Sequence, residues 1–478
     1  MKKNKFYVTT AIMYVNAKPH LGYALEVIQA DVLARYYRSI DRDVFYLTGT
    51  DEHGTKIQKT AEEMGVDPSE LAETNTKLTK KLARTLNTSF DGFIKTSDKK
   101  THWPAVKKIW LALKENGDLE KRKYKGVYCV GCEAFLQAGD LIDGKCPIHD
   151  KEPEIVEEVN WFFKLSKYQD ILKKKIETDE IKILPQSRKN EILSFIERGL
   201  DDVSFSRDKR KLYWGIPVPD DEMQTMYVWC DALTNYISAI GYSSETGEFK
   251  KYWPADVHII GKDILRFHAL YWPAMLISAG LETPKTIMVH GFITSGGRKM
   301  GKSLGNVVDP VEMIDKYGVE PLRYYLLRAI PTLDDGDFTF EHFEEVYRAD
   351  LSNDLGNLLQ RTLAMINKYD AKIEKRINLK CGGDDCISKH IESFEFDKAL
   401  EKLWSCVRAQ NKFIDDEKPW ELAKKGKTKK LTEVLQKIYD FLVIFSIQIE
   451  PFMPETSERI KKQLNELRPE PLFPRLEE

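Results

Sequence analysis

The sequence predicts an α/β protein in which a parallel sheet of nucleotide-binding type is interrupted by a cysteine-bearing insertion and followed by a helical bundle. Three observations carry this prediction. The amino-terminal residues alternate strand, helix and strand; a cysteine cluster with short strands and tight turns follows; and from roughly Glu341 onward leucine, isoleucine and phenylalanine recur at three-to-four spacing with few strand signals.

Taken in order, "KFYVTTAI" (Lys5 to Ile12) reads as a strand, and "VFYLTGT" (Val44 to Thr50) as a second short run closed by Gly49. Between them Leu25, Ile28, Val32 and Tyr36 fall at helical spacing, so a βαβ unit is expected, with a parallel sheet and nucleotide chemistry at its carboxyl edge. The helix is preceded by Pro19, which fixes the chain, then His20, and Gly22 leaves the backbone bare. A helix N-terminus open to close approach is where phosphates are held. From about Gly117 to Pro219 the cysteine cluster, the strand "VNWFFKL" and the turn-rich "WGIPVPDD" suggest an inserted domain. After it, "TMYVWCDAL" and "DVHIIGKDILRFHALYWPAML" return to strand-then-helix, as if the first sheet resumed. The one dense charge run, "KKGKTKK" (Lys424 to Lys430), reads as a solvated connection between helices, and no internal repeat is evident.

A chain of 478 residues is long enough for about three domains. With 31% charged and 42% hydrophobic residues it has the balance of a soluble globular protein, and no apolar run approaches the roughly 20 residues of a membrane helix. The opening "MKKNKFYVTT" lacks an apolar signal core, so a cytoplasmic location is expected. A net charge of −2 excludes a histone-like polyanion binder but leaves room for a local basic groove. Of seven cysteines, three lie in one cluster, which in a cytoplasmic chain favours metal over disulfides.

That cluster, "YCVGCEAF…GKCPIHD", supplies Cys129, Cys132, Cys146 and His149, two short-spaced pairs matching a tetrahedral zinc site. Four protein ligands leave no open position, so such a Zn2+ would be structural; the alternative is buried thiols beside a chance histidine. Cys381 and Cys386 lack a second half and read as a loop. Farther on, "GGRKMGKSLGN" (Gly296 to Asn306) places Arg298, Lys299 and Lys302 on a glycine-rich segment suited to a polyphosphate, or simply to a lysine-rich surface turn. Its spacing is not that of a Walker-type loop.

Together, a His-x-Gly element after the first strand and a distant Lys-Met-x-Lys-Ser loop form the double signature of class I aminoacyl-tRNA synthetases. The sequence resembles the methionyl-tRNA synthetase family along essentially its whole length. The stretches that carry this are "FYVTTAIMYVNAKPHLGY", "LTGTDEHGTKI", "YCVGCEAF" with "CPIHD", "YVWCDALTNY", "IGKDILRFH", "KMGKSLGNVVDP" and "EKPW".

The resemblance implies a Rossmann-type catalytic domain over residues 1–116 and 225–290, split by a connective insertion with a zinc knuckle over 117–224. A Lys-Met-x-Lys-Ser loop and stem-contact region over 291–345 and a helical anticodon-binding domain over 346–478 would follow. It implies activation of L-methionine by ATP with Mg2+ and transfer to tRNA(Met). His20, Gly22, Tyr23, Asp263 and Lys302 would bind ATP, with His20, Lys299 and Lys302 acting in catalysis. Asp51 would hold the substrate ammonium, while Ile12, Tyr14, Trp229, Ala232, Leu233, Tyr236, Ile264 and His268 would surround the thioether. Asn357, Arg361 and Trp420 would read the anticodon. The chemistry is consistent: sulfur contacts with aromatic rings are favourable by about 0.3–1.5 kcal/mol, and unpaired bases stack on aromatic planes. Any one of these aromatics taken alone would read as ordinary core packing.

Two residues depart from the family pattern. Tyr23 stands where a histidine is usual and Gly301 where a serine is usual. A phenol hydrogen-bonds but stays neutral, so weaker transition-state stabilisation is expected, and Gly301 is expected to loosen its loop. Synthetases for valine, isoleucine or leucine would need a larger editing insertion. A cysteine enzyme would spread its zinc ligands along the chain, and a small nucleotidyltransferase has no use for a helical anticodon module. A catalytically dead RNA-binding relative, suggested by Tyr23, is disfavoured by His20, Asp51, Lys299 and Lys302. The end at Glu478 leads to the expectation of a monomer, with scope for a tRNA-binding partner protein.

Overall fold

The chain enters on β1 (Lys5–Thr10), whose residues from Phe6 onward are all buried, as expected of a central strand covered on both faces. The computed structural model describes residues 4–129, 134–136, 141–147, 150–244, 247–299, 307–376 and 387–476. These form two units, one of Met1–Pro19, Tyr37–Arg84 and Thr88–His290, the other of His20–Tyr36, Thr85–Asn87 and Gly291–Glu478.

In the first unit, β2 (Met13–Tyr14), β3 (Asp43–Asp51) and β4 (Gly92–Lys95) follow β1. Next come β5 (Leu119–Cys129), β6 (Ala134–Leu136), β7 (Glu154–Phe163), β8 (Lys182–Leu184) and β9 (Val203–Ser204). The unit is completed by β10 (Ser206–Asp208), β11 (Pro217–Val218), β12 (Asp221–Met226), β13 (Val257–Gly261) and β14 (Thr286–His290). The main sheet runs β2-β3-β1-β13-β14-β8 with β4 also on β3, and every pairing in it is parallel. Register fixes Val8 beside Tyr46 on one side and beside Val257 on the other. β1 and β3 pair in parallel and in chain order the helix Leu21–Ser39 stands between them, the strand–helix–strand order read from the sequence.

Two local readings differ. Gly49 does not close its strand, because β3 continues to Asp51. A Cβ at Gly49 would lie 2.2 Å from the carbonyl oxygen of Ile94, so the glycine admits β4 at close quarters. Nor does the first sheet resume at "TMYVWCDAL". β12 is held antiparallel between β10 and β11, and the parallel sheet returns only at β13. The apolar pattern there is satisfied by a small local sheet, which periodicity alone does not distinguish from the large one. β5, β6, β7 and β9 form a separate antiparallel sheet, whereas β8, within the 117–224 segment, is an edge strand of the main sheet.

The core of this unit gathers Trp110, Phe163, Phe205, Tyr236 and Trp272, all fully or nearly fully buried.

In the second unit β15 (Ile293–Ser295) pairs with β16 (Arg298–Lys299) and β17 (Gly336–Phe338). Beyond β17 no strand occurs among the described residues. The helix Phe396–Glu417 buries Phe396, Ala399, Leu400, Leu403, Trp404, Val407 and Ile414, the apolar stripe its sequence shows. "KKGKTKK" is exposed throughout; its Lys425, Gly426 and Lys427 connect the helices Pro419–Lys424 and Thr428–Gln448, with Gly426 at φ 65°, and the rest of the run lies in the helix ends. Asp31, on the helix Leu21–Ser39, meets Arg323 at 2.8 Å, both wholly buried. The guanidinium also donates to the carbonyls of Leu86, Pro451 and Phe452, so the buried charge is fully met by partners. No helix among the described residues is long and apolar enough to cross a membrane.

Candidate functional site

Strand order reverses at β1, which has β3 on one side and β13 on the other. In an open parallel sheet such a switch point opens a crevice outside the carboxyl ends of the strands. Five sequence-predicted residues of the first unit lie at those ends. Ile12 and Tyr14 follow β1, Asp51 ends β3, and Asp263 with Ile264 forms the turn after β13.

Tyr14 sits opposite Asp51 in the β2–β3 ladder. Asp51 is 7% exposed, and its Oδ1 accepts from the His53 N–H and the Thr96 hydroxyl, each at 3.4 Å. Ile12 is half-buried against the main core, and Asp263 is exposed.

The other methionine candidates of this unit come from the short helix Val228–Leu233 and the residues after it. Trp229 lies flat on Phe267, ring centres 3.6 Å apart at 7°, while Ala232 and Leu233 are buried. Tyr236 donates its hydroxyl to His268 Nε2 at 2.7 Å, and His268 Nδ1 lies 3.0 Å from the Ile264 carbonyl. A carbonyl only accepts, so Nδ1 carries the proton and Nε2 receives the tyrosine O–H: the ring is neutral. Burial pushes the His268 imidazole down to about 4, against the opposing pull of the Ile264 hydrogen bond. His258, 4.2 Å from the Tyr236 ring centre, is likewise held well below the usual histidine range by burial and by His268. His268 lies in the π-helical turn Phe267–Tyr271, a geometry frequent at functional sites.

A pH effect follows. The unfolded chain protonates this histidine near pH 6.5, the folded chain only near 4. Between those values the unfolded state binds more protons, so stability falls as pH drops, by about 3 kcal/mol from this group across the window. Urea midpoints between pH 7 and 4 should fall less steeply in His268→Gln than in the unsubstituted chain; equal slopes would remove this assignment.

The second unit carries His20, Gly22, Tyr23 and Lys299. His20 is exposed, directly before the helix Leu21–Ser39, and its Nδ1 accepts the Gly22 N–H at 3.1 Å, which leaves the ring proton on Nε2. A Cβ at Gly22 would lie 2.9 Å from His20 Cε1, so glycine is what lets the ring fold over the first turn. Tyr23 is 4% exposed. Lys299 ends β16, and its side chain lies outside the described residues, as do Gly301, Lys302, Cys132, His149, Cys381 and Cys386. Cys129, at the end of β5, and Cys146 are both buried.

In the helical part Asn357 and Arg361 stand one turn apart on the helix Asn357–Lys368. Arg361 reaches Asp415 at 3.0 Å and lies 5.7 Å from the Trp420 ring centre. Pro419 begins the helix that bears Trp420, after Lys418 with φ 46°. The structure thus brings Arg361 and Trp420 together.

The family model "tRNA synthetases class I (M)" matches residues 6–147 and 136–363. The methionine–tRNA ligase of Clostridium tetani is 45% identical over 97% of this chain and 74% of its own length. That of Synechocystis is 43% identical over 96% and 89%. The chain belongs to the methionyl-tRNA synthetases. Among solved structures, Mycobacterium tuberculosis methionyl-tRNA synthetase in complex with methionyl-adenylate matches with a TM-score of 0.91 at 37% identity, covering 99% of this chain and 100% of that one.

Within this methionyl-tRNA synthetase, sequence reasoning missed four residues beside the first unit's candidate site: His53, His102, Phe267 and Asp231. Asp231 bonds both His53 Nδ1 and His102 Nε2 at 2.7 Å. A signal existed, since an aspartate inside the apolar run "YVWCDAL" has to find a partner when buried. Nothing in the sequence says that the partners would be histidines far along the chain.

Proposed function

We propose that methionine sits among Ile12, Tyr14, Asp51, Trp229, Ala232, Leu233, Tyr236, Ile264 and His268 when this methionine–tRNA ligase activates it. The ATP-dependent reaction yields methionyl-adenylate, and the acyl group is then transferred to tRNA(Met). The observation that carries this reading is the placement of Ile12, Tyr14, Asp51 and Ile264 at the carboxyl ends of β1, β3 and β13, with His53, two residues past Asp51, bonded to Asp231 of the helix that bears Trp229.

The buried Asp51 carboxylate offers a charge to the substrate ammonium. The neutral Tyr236–His268 pair and the Trp229 face offer a polarisable, uncharged lining to the thioether, where a cationic imidazole would cost desolvation and oppose the substrate ammonium. In the first step the methionine carboxylate attacks the α-phosphorus and pyrophosphate leaves. In the second a ribose hydroxyl of the terminal adenosine attacks the acyl carbon and AMP leaves. His20, Lys299 and Lys302 supply donors and charge to the phosphates, Gly22 and Tyr23 complete that contact, and Asp263 takes the ribose hydroxyls. These groups act by position and charge and form no covalent bond with substrate. Mg2+ would accompany ATP and neutralise phosphate charge.

The donor set fits a structural Zn2+ as far as it is described: Cys129 and Cys146 are buried thiols, and the Cys146 carbonyl accepts the Asp150 N–H at 2.8 Å. With Cys132 and His149 they would hold the ion and fix the loops of the insertion. Asn357, Arg361 and Trp420 would read the splayed anticodon bases.

Methionine-dependent ATP–pyrophosphate exchange without tRNA tests the reading. Exchange that requires methionine supports it; exchange that proceeds with leucine or valine as readily refutes it.

A further inference from the structure

We propose that Asp231 is a positioning residue that sets the reach of the methionine pocket, holding the ammonium-binding end and the thioether-binding end a fixed distance apart. This rests on the assignment of Asp51 and the Trp229–Tyr236 wall to methionine.

Asp231 sits in the helix Val228–Leu233, two residues after Trp229 and directly before Ala232 and Leu233. Its side chain is 1% exposed and both oxygens are taken, so it does not touch substrate. Oδ2 receives the His53 Nδ1–H at 2.7 Å. His53 is two residues past Asp51, its backbone N–H points at Asp51 Oδ1 at 3.4 Å, and its ring is wedged edge-on against Trp214 and Trp103, centres 5.4 and 6.0 Å away. Oδ1 receives the His102 Nε2–H at 2.7 Å. His102 is wholly buried at the start of the helix His102–Glu115, and its Nδ1 lies 2.8 Å from the Ser238 hydroxyl, two residues past Tyr236.

One buried carboxylate therefore bridges the Asp51 segment, the helix of Trp229 and the turn of Tyr236. Burial pushes the Asp231 carboxyl up, but His53 and His102 outweigh it and hold the group below the usual carboxylate range, so it is charged. An apolar residue of similar size would fill this space without the desolvation cost. What it would not do is tie the two ends of the pocket by short, directional, charge-assisted bonds.

Exchange kinetics on the full chain test this with Asp231→Asn, which puts an amide N–H against one histidine N–H. His53→Gln serves as a second variant because it leaves the His102 arm intact. The probes are methionine, norleucine of equal length, and ethionine, one methylene longer. In both variants the KM for methionine should rise about tenfold, with kcat and the KM for ATP within twofold. The preference for methionine over ethionine should fall several-fold, while that over norleucine is unchanged. An unchanged methionine KM, or losses in kcat and both KM values together, would overturn the role of Asp231. Absence of methionine-dependent exchange in the unsubstituted chain would instead remove the assignment of the pocket itself.

Discussion

His20→Asn is expected to lower the rate of methionine-dependent ATP–pyrophosphate exchange by about 10²–10³-fold, the usual cost of losing one donor aimed at developing charge. The ring is held over the first helical turn by the Gly22 N–H, which fixes the proton on Nε2. An asparagine amide is shorter and cannot place a donor at the same point while keeping that bond. The proposed methionine contacts are made by other residues, so the KM for methionine should change little. A loss under tenfold, or one confined to methionine KM, would take His20 out of the phosphate site. Gly22→Ala gives a milder version, because the methyl group would push the ring from a contact of 2.9 Å.

Trp420→Ala is expected to act on tRNA alone. Stacking of a base on an aromatic plane contributes about 1–3 kcal/mol, so the KM for tRNA(Met) in aminoacylation should rise by about 5–150-fold. Exchange without tRNA should stay within twofold. Arg361, 5.7 Å from the Trp420 ring and held by Asp415, adds a cation to the same surface. Trp420→Phe should recover part of the loss, since it keeps a stacking face. Parallel loss of exchange in Trp420→Ala would show a structural tryptophan instead.

What could be read from residues alone follows the range over which each signal acts. The β1–helix–β3 unit and the stripe of Phe396, Leu400, Leu403 and Val407 are local, periodic patterns and appear where the sequence places them. Gly49 was misread because a glycine that ends a strand and one that admits a neighbour look identical until Ile94 arrives beside it. β12 was misread for a related reason: "TMYVWC" is equally apolar against a large parallel sheet or a small antiparallel one, and only its partners β10 and β11 decide. The residues proposed to line the methionine site were named through resemblance. Their support, His102 and His53 on Asp231, depends on pairs more than a hundred residues apart and leaves no local trace.

The most direct test of the whole scheme is aminoacylation of tRNA(Met) beside the same tRNA with its CAU anticodon altered, with tRNA-free exchange run in parallel. The expected result is charging with methionine only on the unaltered tRNA, and tRNA-free exchange that depends on methionine. Equal charging of the two tRNAs would contradict the anticodon assignment, and exchange independent of methionine would contradict the pocket at the carboxyl ends of β1, β3 and β13.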